Sequence, residues 1–241
     1  MSPTTEKTVR EMALEIPAAT AVFEKLGIDY CCGGGQTLAQ ACQAANVSIS
    51  QVAEALAAAS RAESATAEAR DWQIEPLAEL LAHIQSTHHV YTREAIGRLG
   101  PLFDKVCPVH GENHPELLRL REIFGGLAGE LTTQMMKEEI VLFPHVLRME
   151  EAVVAKEPVL PSPFGSVRNP VAMMMAEHDG AGNALRNMRR MSNGYTAPSD
   201  ACVSFQTLYK ALAALEADLH RHIHLENNVL FPRAIEMERA H

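Results

Sequence analysis

Apolar residues recur every three or four positions along most of the chain, a spacing that is typical of amphipathic helices. In the first quarter of the sequence this pattern is short and interrupted. It predicts four short helices, near residues 8–15, 17–26, 37–45 and 48–60. Pro17 punctuates the first pair, and Ser48 stands where an N-cap residue is expected before the last helix.

Four longer helical segments follow, near residues 74–99, 115–154, 170–192 and 200–238. The first is expected to end at Gly100-Pro101, since proline interrupts helical hydrogen bonding. The stretch 157–170 contains four prolines and is predicted to be the long connection between two helical pairs. The pattern therefore predicts an all-α protein whose larger part is an up-down four-helix bundle.

A polar, alanine-rich stretch at 61–71 separates the short helices from the long ones. We interpret it as the boundary between two domains. The first is a small helical N-terminal domain at 1–65, and the second is a bundle domain at 72–241.

One motif occurs twice in the bundle region, as MMKEEIVLFPHVLRME at 135–150 and as IHLENNVLFPRAIEME at 223–238. An offset of 88 residues aligns Glu138 with Glu226 and Pro144 with Pro232. The prolines are expected to kink or loosen their helices just past the glutamates. The repeat indicates two similar helical pairs that each supply half of one site.

The repeat also relates polar residues upstream of the motif. His222 precedes Glu226 by four positions, so both side chains lie on one helix face, and the counterpart of His222 is Gln134. His178 lies 44 residues before His222, and His89 lies 45 residues before Gln134. The apolar strip of the first long helix instead points the neighbouring His88 toward the core, so His88 is kept as an alternative to His89.

Imidazoles and carboxylates from four helices are the ligands that a bundle uses to hold two transition-metal ions, with carboxylates bridging them. A metal-free bundle is the competing interpretation, but burying such groups without a cation is costly. The predicted metal ligands are His89, Glu138, His178, His222 and Glu226.

Composition excludes other classes of function. A net charge of -9 disfavours nucleic-acid binding. No apolar run reaches the ~18 residues of a membrane span, and the first residues lack a signal-peptide layout, so we expect a cytoplasmic protein. The five cysteines are an odd number, which favours reduced thiols over a disulfide framework.

Two of these cysteines, Cys31 and Cys32, adjoin Gly33-Gly34-Gly35. The glycines leave the backbone open, so the sulfurs are expected to reach a protein partner, a metal or a redox equivalent. Free cysteines also serve as small buried hydrophobes, and two sulfurs alone do not complete a four-ligand metal site. We favour a functional role for this pair.

Taken together, DYCCGGGQTLAQAC, the paired histidines at 88–89, MMKEEIVLFP, AEHDGAG and HIHLENNVLFP resemble the bacterial repair-of-iron-centres proteins. The resemblance covers almost the whole chain. It implies a hemerythrin-like bundle with a non-haem di-iron centre, preceded by a helical domain that carries the cysteine pair. It also implies the repair of iron-sulfur clusters damaged by nitric oxide or hydrogen peroxide, and a homodimer.

Carried over by residue, the family's histidines match His89, His178 and His222, and its bridging carboxylates match Glu138 and Glu226. The fourth histidine falls on Gln134, a weak neutral ligand that would leave one metal under-coordinated and labile. His110, which matches a histidine of relatives, and His88 are possible substitutes.

The expected mechanism is donation of iron to a damaged cluster of another protein, with Cys31 and Cys32 assisting transfer or reduction. No residue implies classical enzymatic turnover. The alternatives are a module that binds or senses nitric oxide or dioxygen, and a di-iron nitric oxide reductase. A sensing module has no need of the N-terminal cysteine domain, whereas a reductase would accumulate nitrous oxide over many turnovers.

Overall fold

The computed structural model of the protein describes residues 6–16, 18–63, 70–159, 162 and 164–240. Helices account for the regular structure of these residues, and an isolated antiparallel bridge joins Thr8 to Thr37. The chain divides into two compact units. One comprises Met1–Pro76 and His220–Arg233, and the other comprises Leu77–Leu219 and Ala234–His241.

The four predicted short helices of the N-terminal region are confirmed. Their bounds are Val9–Glu15 (α1), Ala19–Leu26 (α2), Leu38–Ala45 (α3) and Ile49–Glu63 (α4). Local capping residues explain why the starts of these helices could be predicted from the sequence. Thr8 caps α1 and Thr37 caps α3, each in a reciprocal capping box, and Ser48 exchanges the same bonds with Gln51 before α4.

The four short helices bury one face of each against a shared core. Phe23, Leu38 and Val52 are fully buried there, and Tyr30 joins them from the loop between α2 and α3. Of the predicted linker at 61–71, residues 64–69 lie outside the described residues, as does Pro17. Helix α4 extends to Glu63, so the first residues of that stretch are helical.

The remaining helices are interrupted by short π-helical segments. Their bounds are Leu77–His83 (α5), Val90–His110 (α6), Glu116–Lys137 (α7), Phe143–Ala155 (α8), Arg168–Met191 (α9), Val203–Leu225 (α10) and Phe231–Ala240 (α11). The first π segment, Ile84–His89, joins α5 to α6; the second, Glu138–Leu142, joins α7 to α8; the third, Glu226–Leu230, joins α10 to α11.

The predicted end of the first long helix at Gly100-Pro101 is wrong, because α6 continues through Pro101 and Pro108 to His110. An interior proline costs roughly 3 kcal/mol. Burial outweighs this cost, since Leu99 and Phe103 are fully buried on either side of Pro101. Pro101 itself is exposed, so its ring faces solvent while its neighbours fill the core.

Helices α6, α7, α9 and α10 enclose a large apolar core. Their inward faces supply Phe103, Phe124, Leu185 and Phe205 among its buried members. Helix α7 packs against both α6 and α9. This arrangement confirms the predicted helical bundle. Among the described residues, no helix is both long and apolar enough to cross a bilayer.

The repeated motif encodes the second and third π segments. In each, the N–H of the phenylalanine, Phe143 or Phe231, donates to the carbonyl of the glutamate five positions earlier. The proline that follows each phenylalanine has no N–H to donate. The predicted loosening near Pro144 and Pro232 therefore takes the form of a π turn that begins at the glutamate. Such turns are frequent at functional sites.

Candidate metal centre

Four of the five predicted metal ligands form one buried set. His89, Glu138, His222 and Glu226 each offer one ligand atom, and these atoms lie within 4.8 Å of one another. None of the four side chains is more than marginally exposed. Three of them stand at the ends of π segments: His89 ends the first, Glu138 begins the second, and Glu226 begins the third.

The imidazole of His89 is oriented by residues that the sequence did not single out. Its Nδ1 lies 2.7 Å from Oε1 of Glu139, and Arg93 donates to the same carboxylate at 2.7 Å and 2.8 Å. Burial tends to raise the pKa of Glu139, but the bonds from Arg93 and His89 hold it below its usual value. An ionised Glu139 keeps the proton of His89 on Nδ1, so the Nε2 lone pair faces Glu138.

Glu138 presents one oxygen to each of two positions. Its Oε2 lies 3.3 Å from Nε2 of His89 and receives no hydrogen bond. Its Oε1 accepts a 2.9 Å hydrogen bond from the amide nitrogen of Gln134. The two oxygens of this carboxylate therefore face different neighbours, one the imidazole of His89 and the other the amide of Gln134.

A further predicted ligand lies on the Gln134 side of Glu138. The fully buried His178 lies there, with its Nε2 2.6 Å from the amide nitrogen of Gln134. The amide therefore donates one N–H to Glu138 and the other to the lone pair of His178. Gln134 is buried as well, so hydrogen bonds from one neutral side chain join two of the predicted ligands.

The second half of the repeat pairs a histidine with its glutamate. His222 Nε2 lies 3.3 Å from Oε1 of Glu226, one helical turn further along. The matching residues of the first half are Gln134 and Glu138. The two halves therefore differ in one predicted ligand, an imidazole in one and an amide in the other.

The other candidate histidines are engaged elsewhere. His88 places its Nδ1 3.1 Å from both carboxylate oxygens of the buried Asp218. His110 lies at the far end of α6, about 30 Å along the helix from His89. Its ring contacts His114 and Phe205. The structure thus brings His89 into the buried set and places His110 away from it.

Cys31 and Cys32 form a tight turn organised by Asp29. Oδ1 of Asp29 accepts the backbone N–H groups of Cys31, Cys32 and Gly33 at 3.2, 2.9 and 2.9 Å. The two sulfurs are 3.8 Å apart. The pKa of the Cys31 thiol lies well above its usual value; the hydrogen bond with Cys32 is the largest cause and burial is the second. The Cys31 thiol therefore keeps its proton at neutral pH unless a cation binds.

The cysteine turn is fastened to the residues that follow Glu226. Asn228 donates to the carbonyl of Tyr30 at 3.1 Å, and Asn227 donates to that of Cys31 at 3.4 Å. Arg10 in turn donates to Oδ1 of Asn228 at 2.6 Å. The repeat carried a signal for this that sequence reasoning missed, because ENN in the second half replaces EEI in the first. Two amides replace a charged and an apolar residue.

A groove runs along the packed helices α7 and α9. It has a volume of about 460 Å³ and is lined by Gly129, Glu130, Thr133, Lys137, Ala176, Glu177 and Gly180. Lys137 forms an ion pair with Glu177 across it. Thr133 precedes Gln134, Lys137 precedes Glu138, and Glu177 precedes His178 along the chain. A Cβ added at Gly129 or Gly180 would meet no atom within 4 Å apart from the backbone of its own helix turn and its chain neighbours.

The donors present fit a transition-metal centre. Ligand atoms of one ion, bound at about 2.0–2.2 Å, lie roughly 3 Å apart. The 3.3 Å separations of His89 from Glu138 and of His222 from Glu226 are close to this value. Fully buried carboxylates also require a cation or several donors. Histidine and glutamate together suit iron and related ions.

Comparison with known proteins gives a consistent result. Residues 5–60 match the family model described as "Domain of Unknown function (DUF542)", and residues 80–234 match the model described as "Hemerythrin HHE cation binding domain". The chain is 36% identical over 234 residues to the iron-sulfur cluster repair protein YtfE of Cronobacter sakazakii, covering 97% of this chain and 98% of the relative. It is 34% identical to the protein of that name from Pectobacterium atrosepticum, with the same coverage.

Proposed function

Since the chain belongs to the family of the iron-sulfur cluster repair proteins and carries a hemerythrin HHE cation-binding domain, we propose that it repairs damaged iron-sulfur clusters by donating iron. The observation that carries the proposal is the buried set of His89, Glu138, His222 and Glu226 in a chain that matches the repair proteins over nearly their whole length. The match includes the N-terminal cysteine region, which a simple sensing module does not need.

The proposed centre is one of two iron ions. His89, Glu138, His222 and Glu226 would hold iron through their clustered donor atoms, and His178, beside Gln134, would supply a further ligand. When bound, the iron supplies a store of ferrous ion and a redox couple that can take up small oxidants such as nitric oxide or dioxygen. Glu139 keeps the Nε2 lone pair of His89 available, and burial excludes water from the carboxylates.

Release of iron is proposed to occur on the Gln134 side. Carboxylate and imidazole ligands bind Fe(II) only moderately, so the ion is exchangeable. The groove between α7 and α9 adjoins the sequence neighbours of Gln134, Glu138 and His178. Filling it with Gly180→Val should slow iron removal by a soluble chelator. Gly97→Val, in α6 and also with open space around it, is the matched control. Equal rates in both variants would contradict this route.

Cys31 and Cys32 are proposed to assist transfer or reduction. They lie in a turn that accepts hydrogen bonds from Asn227 and Asn228. These asparagines directly follow Glu226, so one short segment both supplies a predicted metal ligand and holds the turn that carries the thiols. A cytoplasmic location is part of the proposal, because the five cysteines are an odd number, which favours reduced thiols over a disulfide framework. Homodimer formation is a further part, which sedimentation of the iron-loaded protein would test.

The direct experiment is reactivation of an iron-sulfur enzyme whose cluster has been damaged by hydrogen peroxide. The iron-loaded chain should restore its activity without added iron. The Glu138→Ala, Glu226→Ala double variant should not, whereas His110→Ala should match the unmodified chain. Reactivation by the double variant would refute donation from this centre. Multiple turnovers of nitric oxide to nitrous oxide without reactivation would point to a reductase instead.

A further inference from the structure

The turn at residues 29–33 brings together three metal-ligating side chains outside the buried histidine and glutamate set. Asp29, Cys31 and Cys32 each offer one ligand atom, and these atoms lie within 4.8 Å of one another. We propose that Asp29, Cys31 and Cys32 form a second cation site, which takes a thiophilic divalent ion such as Fe(II), Co(II) or Zn(II) through two sulfurs and one carboxylate oxygen.

The separations of the donor atoms match those of a tetrahedral site. With metal–sulfur bonds of about 2.3 Å, two sulfurs on a tetrahedral ion lie about 3.8 Å apart. The observed distance between the Cys31 and Cys32 sulfurs is 3.8 Å. A sulfur and a carboxylate oxygen on the same ion lie about 3.5 Å apart. The observed distance from Cys31 Sγ to Asp29 Oδ1 is 3.4 Å.

The turn holds its donors in place before a metal arrives. The backbone N–H groups of Cys31, Cys32 and Gly33 fix the carboxylate of Asp29. Gly34 allows the chain to fold back, since a Cβ at this position would lie 3.0 Å from the carbonyl of Tyr30. A donor set that is already oriented loses less freedom when it binds an ion.

The site leaves one coordination position for a partner. Three protein donors with an open fourth position are typical of sites where ligands exchange, whereas closed four-ligand sites are structural. Cys31 is buried, but Asp29 and Cys32 are partly exposed, so an incoming ligand reaches the ion from their side. Asn227 and Asn228 donate hydrogen bonds to this turn, and they directly follow Glu226, a predicted ligand of the proposed iron centre.

Binding requires each thiol to lose its proton to solvent as a metal–sulfur bond forms, and no electron is transferred. The two new negative charges are offset by the divalent ion. In the proposed repair function, the site would accept Fe(II) released from the histidine and glutamate centre and pass it to a thiolate-bound cluster. That role rests on the proposed function, whereas cation binding by the turn does not.

The test is titration of the reduced chain with Co(II), which gives near-ultraviolet thiolate charge-transfer absorption only where sulfur binds the metal. The full chain should develop this absorption. Cys31→Ser, Cys32→Ser should abolish it, whereas Cys202→Ser, which removes an exposed lone thiol, should leave it intact. Absence of the absorption in the unmodified chain, or its survival in the double serine variant, would overturn the proposal.

Two further variants separate a metal site from a purely structural turn. Asp29→Asn keeps an oxygen to accept the backbone N–H groups but removes the charge, so it should weaken Co(II) binding at least about tenfold. The Glu138→Ala, Glu226→Ala variant should retain the full charge-transfer absorption. If it does while cluster repair fails, the cysteine site stands without the proposed function; unchanged affinity in Asp29→Asn would remove Asp29 from the site.

Discussion

Replacing Gln134 by histidine should remove the asymmetry between the two halves of the proposed centre. Gln134 donates one hydrogen bond to Glu138 at 2.9 Å, and its amide nitrogen lies 2.6 Å from Nε2 of His178. A hydrogen bond to a charged group contributes about 1.5–3 kcal/mol, and a neutral one about 0.5–1.5 kcal/mol. An imidazole at position 134 recovers part of this by approaching Glu138 as His222 approaches Glu226.

The metal-free Gln134→His variant should therefore be less stable by about 1–2 kcal/mol, because one buried contact is lost. For a chain of this size, that loss lowers the unfolding midpoint by about 2–8 °C. With metal the order should invert. An additional imidazole should tighten the second ion at least about tenfold, which is about 1.4 kcal/mol. Loaded Gln134→His should thus unfold at a higher temperature than the loaded unmodified chain.

The assay combines calorimetric titration with Fe(II) under anaerobic conditions and thermal unfolding with and without metal. Thr132→His, at an exposed position of α7 that does not line the groove, is the matched control and should change neither quantity appreciably. The converse variant, His222→Gln, should weaken binding. An unchanged second affinity in Gln134→His, together with an unchanged midpoint of the metal-free form, would refute this account of Gln134.

Other predictions concern the parts around the centre. Asn228→Ile removes the hydrogen bond to the carbonyl of Tyr30, which holds the cysteine turn in place. Alkylation of Cys31 and Cys32 should therefore become faster, and an equal alkylation rate would show that this bond does not restrain the turn. Pro101→Ala should stabilise the chain by up to about 3 kcal/mol in denaturant unfolding, since it restores a helical N–H; no gain would show that the helix has adapted fully. Asp200 raises the pKa of His114, so this pair stabilises the fold below the ordinary histidine pKa, and the contribution is lost as pH rises through the raised value. Asp200→Asn should lower the His114 pKa in an NMR titration.

Much of the fold could be predicted because local signals agree with the tertiary arrangement. The short helices are delimited by capping residues such as Thr37 and Ser48, whose bonds involve neighbours in sequence. The end of α6 could not be predicted in the same way. Whether Pro101 ends a helix depends on the burial of Leu99 and Phe103, which is a property of the assembled core.

In the candidate site, too, some features follow from local sequence and others depend on tertiary packing. The repeat predicted Glu138, Glu226 and the substitution at Gln134 because duplication leaves a constant offset. Helical periodicity favoured His88 over His89, since it assumes an uninterrupted α-helix. The first π segment adds a residue to the turn that ends at His89, and both histidines are buried, His88 beside Asp218 and His89 beside Glu139. Contacts between distant segments, such as that of Asn227 with Cys31, lie beyond any local pattern.

The decisive experiment is to load the chain with Fe(II) without oxygen, desalt it and measure its metal content. We expect about two irons per chain at saturation, as carboxylate-bridged bundles hold. We also expect that the iron on the Gln134 side is lost first and that the Glu138→Ala, Glu226→Ala variant loses its centre. An absence of bound iron, or an undiminished iron content in that variant, would contradict the proposed centre.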